Sequence, residues 1–133
     1  MAGSGSVDGL HVLTTNRLVP EVLERVESIA RAKGMTIFAR IDFSGDAARA
    51  GLTQPPTGMV LLGNPVGGTP LMVASPTVAI DLPLKVLAWE DSKGARWVAF
   101  NEPDYLQKRH SFPPELLKNI AGLAALAAAA AGP

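Results

Sequence analysis

The sequence predicts a single α+β domain, in which one antiparallel or mixed β-sheet carries helices on one of its faces. The chain has 133 residues, the usual size of one domain, which we place at residues 10–131 after a flexible start at residues 1–9. Hydrophobic residues make up 47% and charged residues 18%, which is the balance of a globular protein. Strand patterns grouped around a hairpin, with helical patterns between and after them, favour a sheet covered by helices.

The first part of the chain predicts two strands and two helices. His11–Thr15 has the pattern of a short strand, and a helix follows from about Pro20–Lys33, where apolar residues recur at helical spacing. Met35–Asp42 alternates as a second strand, which we expect to pair with the first. Ser44 is predicted to cap a short helix that runs to Ala50.

A glycine-rich loop, Gly63–Pro70, occupies the middle of the chain. It follows a wholly apolar run, Met59–Leu62, which predicts a strand buried on both faces. After the loop we expect a short helix over Pro70–Ala74, because Thr69 is a good N-cap and proline fits the first helical position.

The loop nearly matches a phosphate-binding motif, since Gly63 is followed after four residues by Gly68 and Thr69. The motif's lysine is missing, and the backbone amides alone hold a phosphate much less tightly, so nucleotide hydrolysis is not expected. The amides of Gly67, Gly68 and Thr69 remain candidates for binding a carboxylate or phosphate at a helix start. The alternative is that these glycines and prolines only form a tight turn.

The second part of the chain predicts a hairpin followed by two helices. The hairpin strands are Lys85–Asp91 and Ala95–Asn101, joined by a turn at Ser92–Gly94. A short helix is expected over Pro103–His110, and a last helix over Glu115–Ala130.

The surface and charge of the predicted domain favour a homodimer, leave room for a small anionic or amphipathic ligand, and speak against nucleic acid as a partner. Alternation divides Trp89, Trp97 and Phe100 between the two sheet faces, so some apolar sheet surface is left for a partner or ligand. Twelve basic and twelve acidic residues cancel, so no broad positive field is available for nucleic acid, and little repulsion opposes a homodimer.

The cellular location is expected to be cytoplasmic. The chain has no cysteine, which excludes disulfides, thiolate metal sites and cysteine nucleophiles. Residues 1–9 do not have the pattern of a secretory signal. The longest apolar stretch, Ile120–Ala131, is well short of the roughly 20 residues that a membrane helix needs, so no membrane association is expected.

His11 and His110 are the only histidines, and they lie far apart in the sequence. A transition-metal site would therefore need carboxylates such as Asp42 or Glu90, and we expect no metal and no cofactor. The same carboxylates, acting as base with His110 as acid, form an alternative enzyme hypothesis. His110 is otherwise interpreted as a helix end that is half exposed to water.

Several segments, in order and spacing, resemble one known family: Ile37–Asp42, Gly63–Pro65, Gly68–Met72, Asp81–Lys85, Trp89–Asp91, Asn101, Tyr105–Leu106 and Arg109–His110. The family is called domain of unknown function 302, and with the first and last helices the resemblance covers about Leu10–Ala130. It implies a β-α-β-β-β-β-α fold similar to TATA-box-binding-protein-like domains, usually a homodimer, and no established activity. The family commonly has a histidine where this chain has Phe43, which weakens the enzyme and metal hypotheses.

The leading hypothesis is a small-molecule or anion binding module that uses the Gly63–Pro70 turn. The alternatives are the enzyme described above and a homodimeric interaction protein with no ligand. The candidate ligand-binding residues are Asp42, Asn64, Gly67, Gly68, Thr69, Lys85, Asn101, Tyr105 and His110.

Overall fold

The structure, a computed structural model, describes residues 7–133, so most of the predicted flexible start lies outside the described residues. One antiparallel sheet has the strand order β1-β5-β4-β3-β2. Its strands are β1 (Leu10–Thr15), β2 (Thr36–Asp42), β3 (Thr57–Gly63), β4 (Leu84–Glu90) and β5 (Arg96–Asn101). The helices are α1 (Val19–Ala32), α2 (Phe43–Arg49), α3 (Pro65–Ala74), α4 (Pro103–His110) and α5 (Leu123–Ala131), with 3₁₀ helices η1 (Pro76–Asp81) and η2 (Pro114–Asn119). The predicted α+β class is confirmed.

The core lies between one face of the sheet and the helices α1 and α5. Val22 and Val26 are fully buried because the helical period places them on the same side of α1. They face strand residues that point inward at every second position, such as Val60, Val86 and Val98, all fully buried. The helices therefore cover one face of the sheet, as the sequence predicts.

The opposite face of the sheet is apolar and is only partly covered. Met59, Leu61, Leu87 and Trp97 point to this side, and each is half-buried. The prediction that the third strand is buried on both faces is wrong, because inward and outward residues alternate strictly along β3. We call this surface the open sheet face.

The predicted pairing of the first two strands is also wrong. β1 and β2 form opposite edges of the sheet, and β1 pairs instead with β5, for example Leu10 with Asn101. The reason is that α1, which connects β1 to β2, packs across β3 and β4. It therefore carries the chain from one edge of the sheet to the other. Neighbours in the sequence are not neighbours in this sheet.

The predicted last helix is split in two. Residues 114–119 form the 3₁₀ helix η2, and α5 begins only at Leu123, after Gly122. Glycine weakens a helix interior, which accounts for the break. The far end of α5 is held by Arg25 of α1, whose guanidinium donates to the carbonyl oxygens of Ala130 at 3.1 Å and Ala129 at 2.7 Å.

Candidate functional site

The helix after the glycine-rich loop begins earlier than the sequence predicts. The N-cap of α3 is Asn64, whose side-chain Oδ1 accepts a hydrogen bond from the backbone N–H of Val66 at 2.9 Å, and Pro65 is the first helical residue. Thr69 and Pro70 lie inside α3, so their predicted roles as N-cap and first helical residue are wrong. Both asparagine–proline and threonine–proline pairs favour a helix start, and the upstream pair is the one used.

This earlier start changes the chemistry of the loop. The backbone N–H groups of Gly67 and Gly68 both donate to the carbonyl oxygen of Asn64, at 2.9 and 2.8 Å. They are therefore engaged in the first turn of α3, and Thr69 lies further inside it. An anion at these positions would have to displace helical hydrogen bonds, so the loop's amides do not form an open anion cradle.

A pocket of about 270 Å³ lies beside the same segment. Its walls come from the start of β2, the end of β3, helix α3, the segment before β4, and the end of η2. Most of the lining is apolar, and none of the lining residues is charged. The lining consists of Met35, Phe38, Gly63, Asn64, Pro65, Gly68, Thr69, Met72, Leu82, Pro83, Leu84, Asn119 and Ile120.

Two adjacent glycines shape the wall of this pocket. At Gly67 a Cβ atom would lie 3.1 Å from the backbone oxygen of Asn119, so the missing side chain lets η2 approach α3 closely. Asn119 fixes this approach, since its Nδ2 donates to the carbonyl oxygen of Gly67 at 3.1 Å. At Gly68 the nearest atom to a Cβ would be Leu82 Cδ1 at 3.8 Å, which leaves space inside the pocket.

Phe38 lines the pocket and is 52% exposed although it is large and apolar. This residue lies in a β-bulge, where the register between β2 and β3 shifts between Ile37 and Ala39. A bulge turns a side chain away from strict alternation. Phe38 is thereby placed over Gly63, where a Cβ would contact its ring at 3.5 Å.

The structure brings only part of the predicted site together. Asn64, Gly68 and Thr69 line the pocket, and Gly67 adjoins it through its bond to Asn119. The other predicted ligand residues do not line it: Asp42, Lys85, Asn101, Tyr105 and His110.

Asp42 has a structural role at the start of α2. Its Oδ1 accepts hydrogen bonds from the Gly45 amide and the Ser44 hydroxyl, both at 2.9 Å. These bonds, the Gly45 amide first, lower the pKa of the Asp42 carboxyl below its ordinary value. Asp42 is therefore the N-cap, and the prediction that Ser44 caps this helix is wrong.

The remaining predicted residues are dispersed. Lys85 lies in β4 and its Nζ donates to the carbonyl oxygen of Pro83 at 3.0 Å. Asn101 is at the end of β5, paired with β1. Tyr105 packs over Gly9, where any Cβ atom would collide with its ring.

His110 is paired and buried. Its Nε2 lies 2.5 Å from Asp81 Oδ2, and its Nδ1 lies 2.9 Å from Thr77 Oγ1. The side chain is only 5% exposed, so the prediction of a half-exposed helix end is wrong. A carboxylate does face this histidine, but it is Asp81 and neither of the predicted partners, because Asp42 caps α2 and Glu90 pairs with Arg96.

Comparison with known proteins establishes the family. Residues 11–130 match the model for "Domain of unknown function DUF302". The chain belongs to the DUF302 family. A crystal structure of an uncharacterized conserved DUF302 protein from Bacillus stearothermophilus has the same fold, with a TM-score of 0.75 over 94% of this chain and 97% of that one. At 17% identity, that likeness shows the fold alone.

This DUF302 chain is also similar to part of three longer proteins. It is 43% identical over 103 residues to "Fluoride-specific ion channel FluC 1" of Brucella suis biovar 1, a match that covers 77% of this chain and 41% of that protein. The proteins of that type from Brucella abortus biovar 1 and Brucella melitensis biotype 1 match equally, with 38% of each covered. The chain thus spans about two fifths of the curated relatives it matches. Within residues 7–133, no helix is long and apolar enough to cross a membrane.

Sequence reasoning missed two features of this chain, the apolar pocket and the carboxylate that faces His110. The apolar lining of the pocket comes from separate elements, Met35, Met72, Leu82 and Ile120 among them, and no local pattern joins these residues. Asp81 is the partner of His110, and its only sequence signal is that both fall in segments resembling the family. Within residues 7–133, no group of three or more potential metal ligands comes together.

Proposed function

We propose that this DUF302 chain is a small-molecule binding module, and that its ligand is a small, uncharged and largely apolar molecule. The observation that carries the proposal is the pocket beside Gly63–Pro70, which has an apolar lining and three polar side chains, Asn64, Thr69 and Asn119. Binding pockets of proteins typically combine apolar walls with a few polar groups that orient the ligand. This proposal uses the same segment as the hypothesis drawn from the sequence, but the ligand contacts the pocket and not the backbone amides of the loop.

The size and charge of the pocket limit the ligand. A dry cavity of about 150 Å³ holds a benzene molecule, so a volume of about 270 Å³ suits roughly ten non-hydrogen atoms. No lining residue is charged, and an ion would lose its hydration without gaining a partner. Asn64, Thr69 and Asn119 offer hydrogen bonds to a carbonyl, hydroxyl or amide on the ligand.

A ligand screen combined with one pocket variant tests the proposal. The protein is screened by thermal shift against small neutral aromatic and aliphatic alcohols, amides and ketones. A ligand at ten times its Kd stabilises the folded state by about 1.4 kcal/mol, which raises Tm measurably. Gly68→Leu fills the pocket from its wall, since a Cβ at this position meets only Leu82 at 3.8 Å. The variant is expected to remain folded and to lose the shift.

Ala74→Leu is the matched control, because it adds a leucine to an exposed position of the same helix outside the pocket lining. It is expected to keep the full ligand shift. The proposal is overturned if no compound of these classes stabilises the protein, or if Gly68→Leu and Ala74→Leu respond alike. Stabilisation by carboxylates or phosphates alone would restore the anion hypothesis in its place.

A second candidate function is that the chain acts together with a membrane fluoride channel as an accessory domain. It is supported by the 43% identity to a segment of three proteins named as fluoride-specific ion channels. The match covers only 38% to 41% of those proteins, so the similarity concerns one part of them.

Fluoride efflux from liposomes tests this second candidate. The Brucella suis protein is reconstituted whole, without the matched segment, and without the segment but with this chain added. Deleting the segment is expected to change the efflux rate recorded by a fluoride electrode, and adding this chain is expected to restore it. An unrelated protein of similar size serves as the control. Equal rates in all preparations would refute the accessory role.

We also propose that two copies of the chain associate through the open sheet face. This face presents half-buried apolar side chains, such as Leu61, Leu87 and Trp89, on the side of the sheet away from α1 and α5. A formal net charge of zero gives little repulsion between copies. A two-fold interface would bring the same apolar surface of both copies together, and homodimer interfaces are more apolar than the rest of a protein surface.

A further inference from the structure

A hydroxyl, an imidazole and a carboxylate are aligned at the junction of η1 and α4. Thr77 Oγ1 lies 2.9 Å from His110 Nδ1, and His110 Nε2 lies 2.5 Å from Asp81 Oδ2. Thr77 and Asp81 come from η1, and His110 is the last residue of α4. The three groups are thus linked in one chain of hydrogen bonds.

The partners assign the proton positions on the imidazole ring. The Asp81 carboxylate can only accept hydrogen bonds, so Nε2 of His110 carries the proton that it donates. In the neutral ring Nδ1 is then unprotonated, and it accepts a hydrogen bond from the Thr77 hydroxyl. Arg109 donates from one guanidinium nitrogen to both oxygens of Asp81, at 3.2 and 3.0 Å, and so helps to orient the carboxylate.

The base and the carboxylate of this chain of hydrogen bonds are shielded from water, whereas the hydroxyl is exposed. The side chains of His110 and Asp81 are 5% and 14% exposed, which limits competition from water for their hydrogen bond. Thr77 itself is exposed and is free to meet a molecule from solution. A base that is shielded from water and oriented by a carboxylate, next to an accessible hydroxyl, is the arrangement that activates serine and threonine nucleophiles.

We propose that Thr77 is a nucleophile activated by His110, and that it accepts an acyl group from esters of small carboxylic acids. The Thr77 oxygen bonds to the carbonyl carbon while the ester's C–O bond breaks. The hydroxyl proton passes to His110 Nδ1 and from there to the departing oxygen. The products are an acyl-threonine and one alcohol.

Asp81 acts as a positioning residue, because it fixes the tautomer of His110. None of Thr77, Asp81 and His110 lines the pocket beside Gly63–Pro70, so the proposed reaction uses residues other than those of the proposed ligand site.

Acetylation by 4-nitrophenyl acetate tests the proposal. The intact protein is incubated with the ester, and the acetyl group is located by peptide mass spectrometry while released 4-nitrophenol is followed by absorbance. Acetyl is expected on Thr77 in the parent and on the serine of Thr77→Ser. Thr77→Val is expected to lose this product. Thr57→Val is the control, since the Thr57 hydroxyl donates to the carbonyl oxygen of Pro55.

The variant Asp81→Asn tests whether Thr77 reacts because His110 activates its hydroxyl or only because that hydroxyl is exposed to solvent. An amide at this position can donate to Nε2, which moves the ring proton to Nδ1 and removes the acceptor for Thr77. Acetylation of Thr77 is expected to slow by at least about a hundredfold, the lower range for loss of a general base. Circular dichroism confirms that each variant is folded. The proposal is wrong if acetyl appears only on lysines and the N-terminus, or if Asp81→Asn leaves the rate on Thr77 unchanged.

Discussion

The indole Nε1 of Trp97 donates a hydrogen bond to Asp91 Oδ2 at 3.0 Å, which ties the start of the hairpin turn to strand β5. The other oxygen of Asp91 accepts from the backbone amides of Lys93 and Ala95, at 2.9 and 3.0 Å. The bond from Trp97 is the largest influence on this carboxyl, and together with the two amides it lowers the pKa of Asp91 against the opposing effect of burial.

This lowered pKa predicts how the hairpin responds to acid. A carboxyl whose pKa is lower in the folded state stabilises the fold above its unfolded pKa of about 3.9, and the stabilisation is lost as pH falls through the folded-state value. Trp97→Phe removes the largest contribution, so the pKa of Asp91 is expected to rise toward the ordinary value. An NMR titration of the Asp91 side-chain carbon measures it, and an unchanged pKa would contradict the assigned cause.

The two glycines at the pocket wall are expected to respond to alanine with opposite signs. Gly68→Ala should raise the free energy of unfolding by up to about 1 kcal/mol, because alanine favours the helix and its Cβ has room. Gly67→Ala should lower it, since the Cβ would press on the backbone oxygen of Asn119 at 3.1 Å. Urea denaturation measures the free energy of unfolding of both variants and of the parent protein. Two changes of the same sign would show that the approach of η2 to α3 is not a close packing constraint.

Arg25 is expected to stabilise the end of α5 through its two bonds to the carbonyl oxygens of Ala129 and Ala130. A cation at a helix C-terminus also interacts favourably with the helix dipole. Arg25→Met should lower the free energy of unfolding by about 1 kcal/mol. Arg31→Met is the control on the same helix. The Arg31 side chain is 62% exposed, and Glu27, which lies 3.7 Å from it, keeps a second cationic neighbour in Arg40 at 3.8 Å, so a change under about 0.5 kcal/mol is expected there. Equal losses would refute the role of Arg25 as a cap.

The proposed homodimer predicts that one charge on the open sheet face separates the copies. Leu87→Glu places a carboxylate at the centre of this face, opposite Met59 and Ala99 in the sheet register. Analytical ultracentrifugation at micromolar concentration should find a dimer for the parent and a monomer for the variant. Ser28→Glu, on the exposed side of α1, should remain a dimer. A monomeric parent would refute the interface outright.

Local patterns were enough to predict the elements whose signals do not depend on distant residues. The hairpin β4–β5 has its turn residues between two alternating strands, and the α1 pattern repeats at the helical period, so both are confirmed with small shifts of their ends. Helix α4 begins at Pro103 and ends at His110 as predicted. The fold class follows from these elements because few arrangements can cover such a sheet.

Competing or distant signals account for the errors. Asn64–Pro65 and Thr69–Pro70 are equally good helix starts, and nothing within the loop decides between them. The approach of Asn119 to Gly67, from a segment far along the chain, is a contact that the earlier start makes available. The pairing of His110 with Asp81 likewise joins two elements, and only the folded chain shows which carboxylate faces the ring.

The position of β1 at the sheet edge beside β5 has a consequence during synthesis. Leu10 pairs with Asn101, so the first strand has no partner until most of the chain has been translated. At about 5–20 residues per second, this wait is on the order of five to twenty seconds. The other edge of the sheet, β2 with β3, can form much sooner. On the ribosome, the nascent chain is therefore expected to close its sheet from the β2 edge, with β1 joining last.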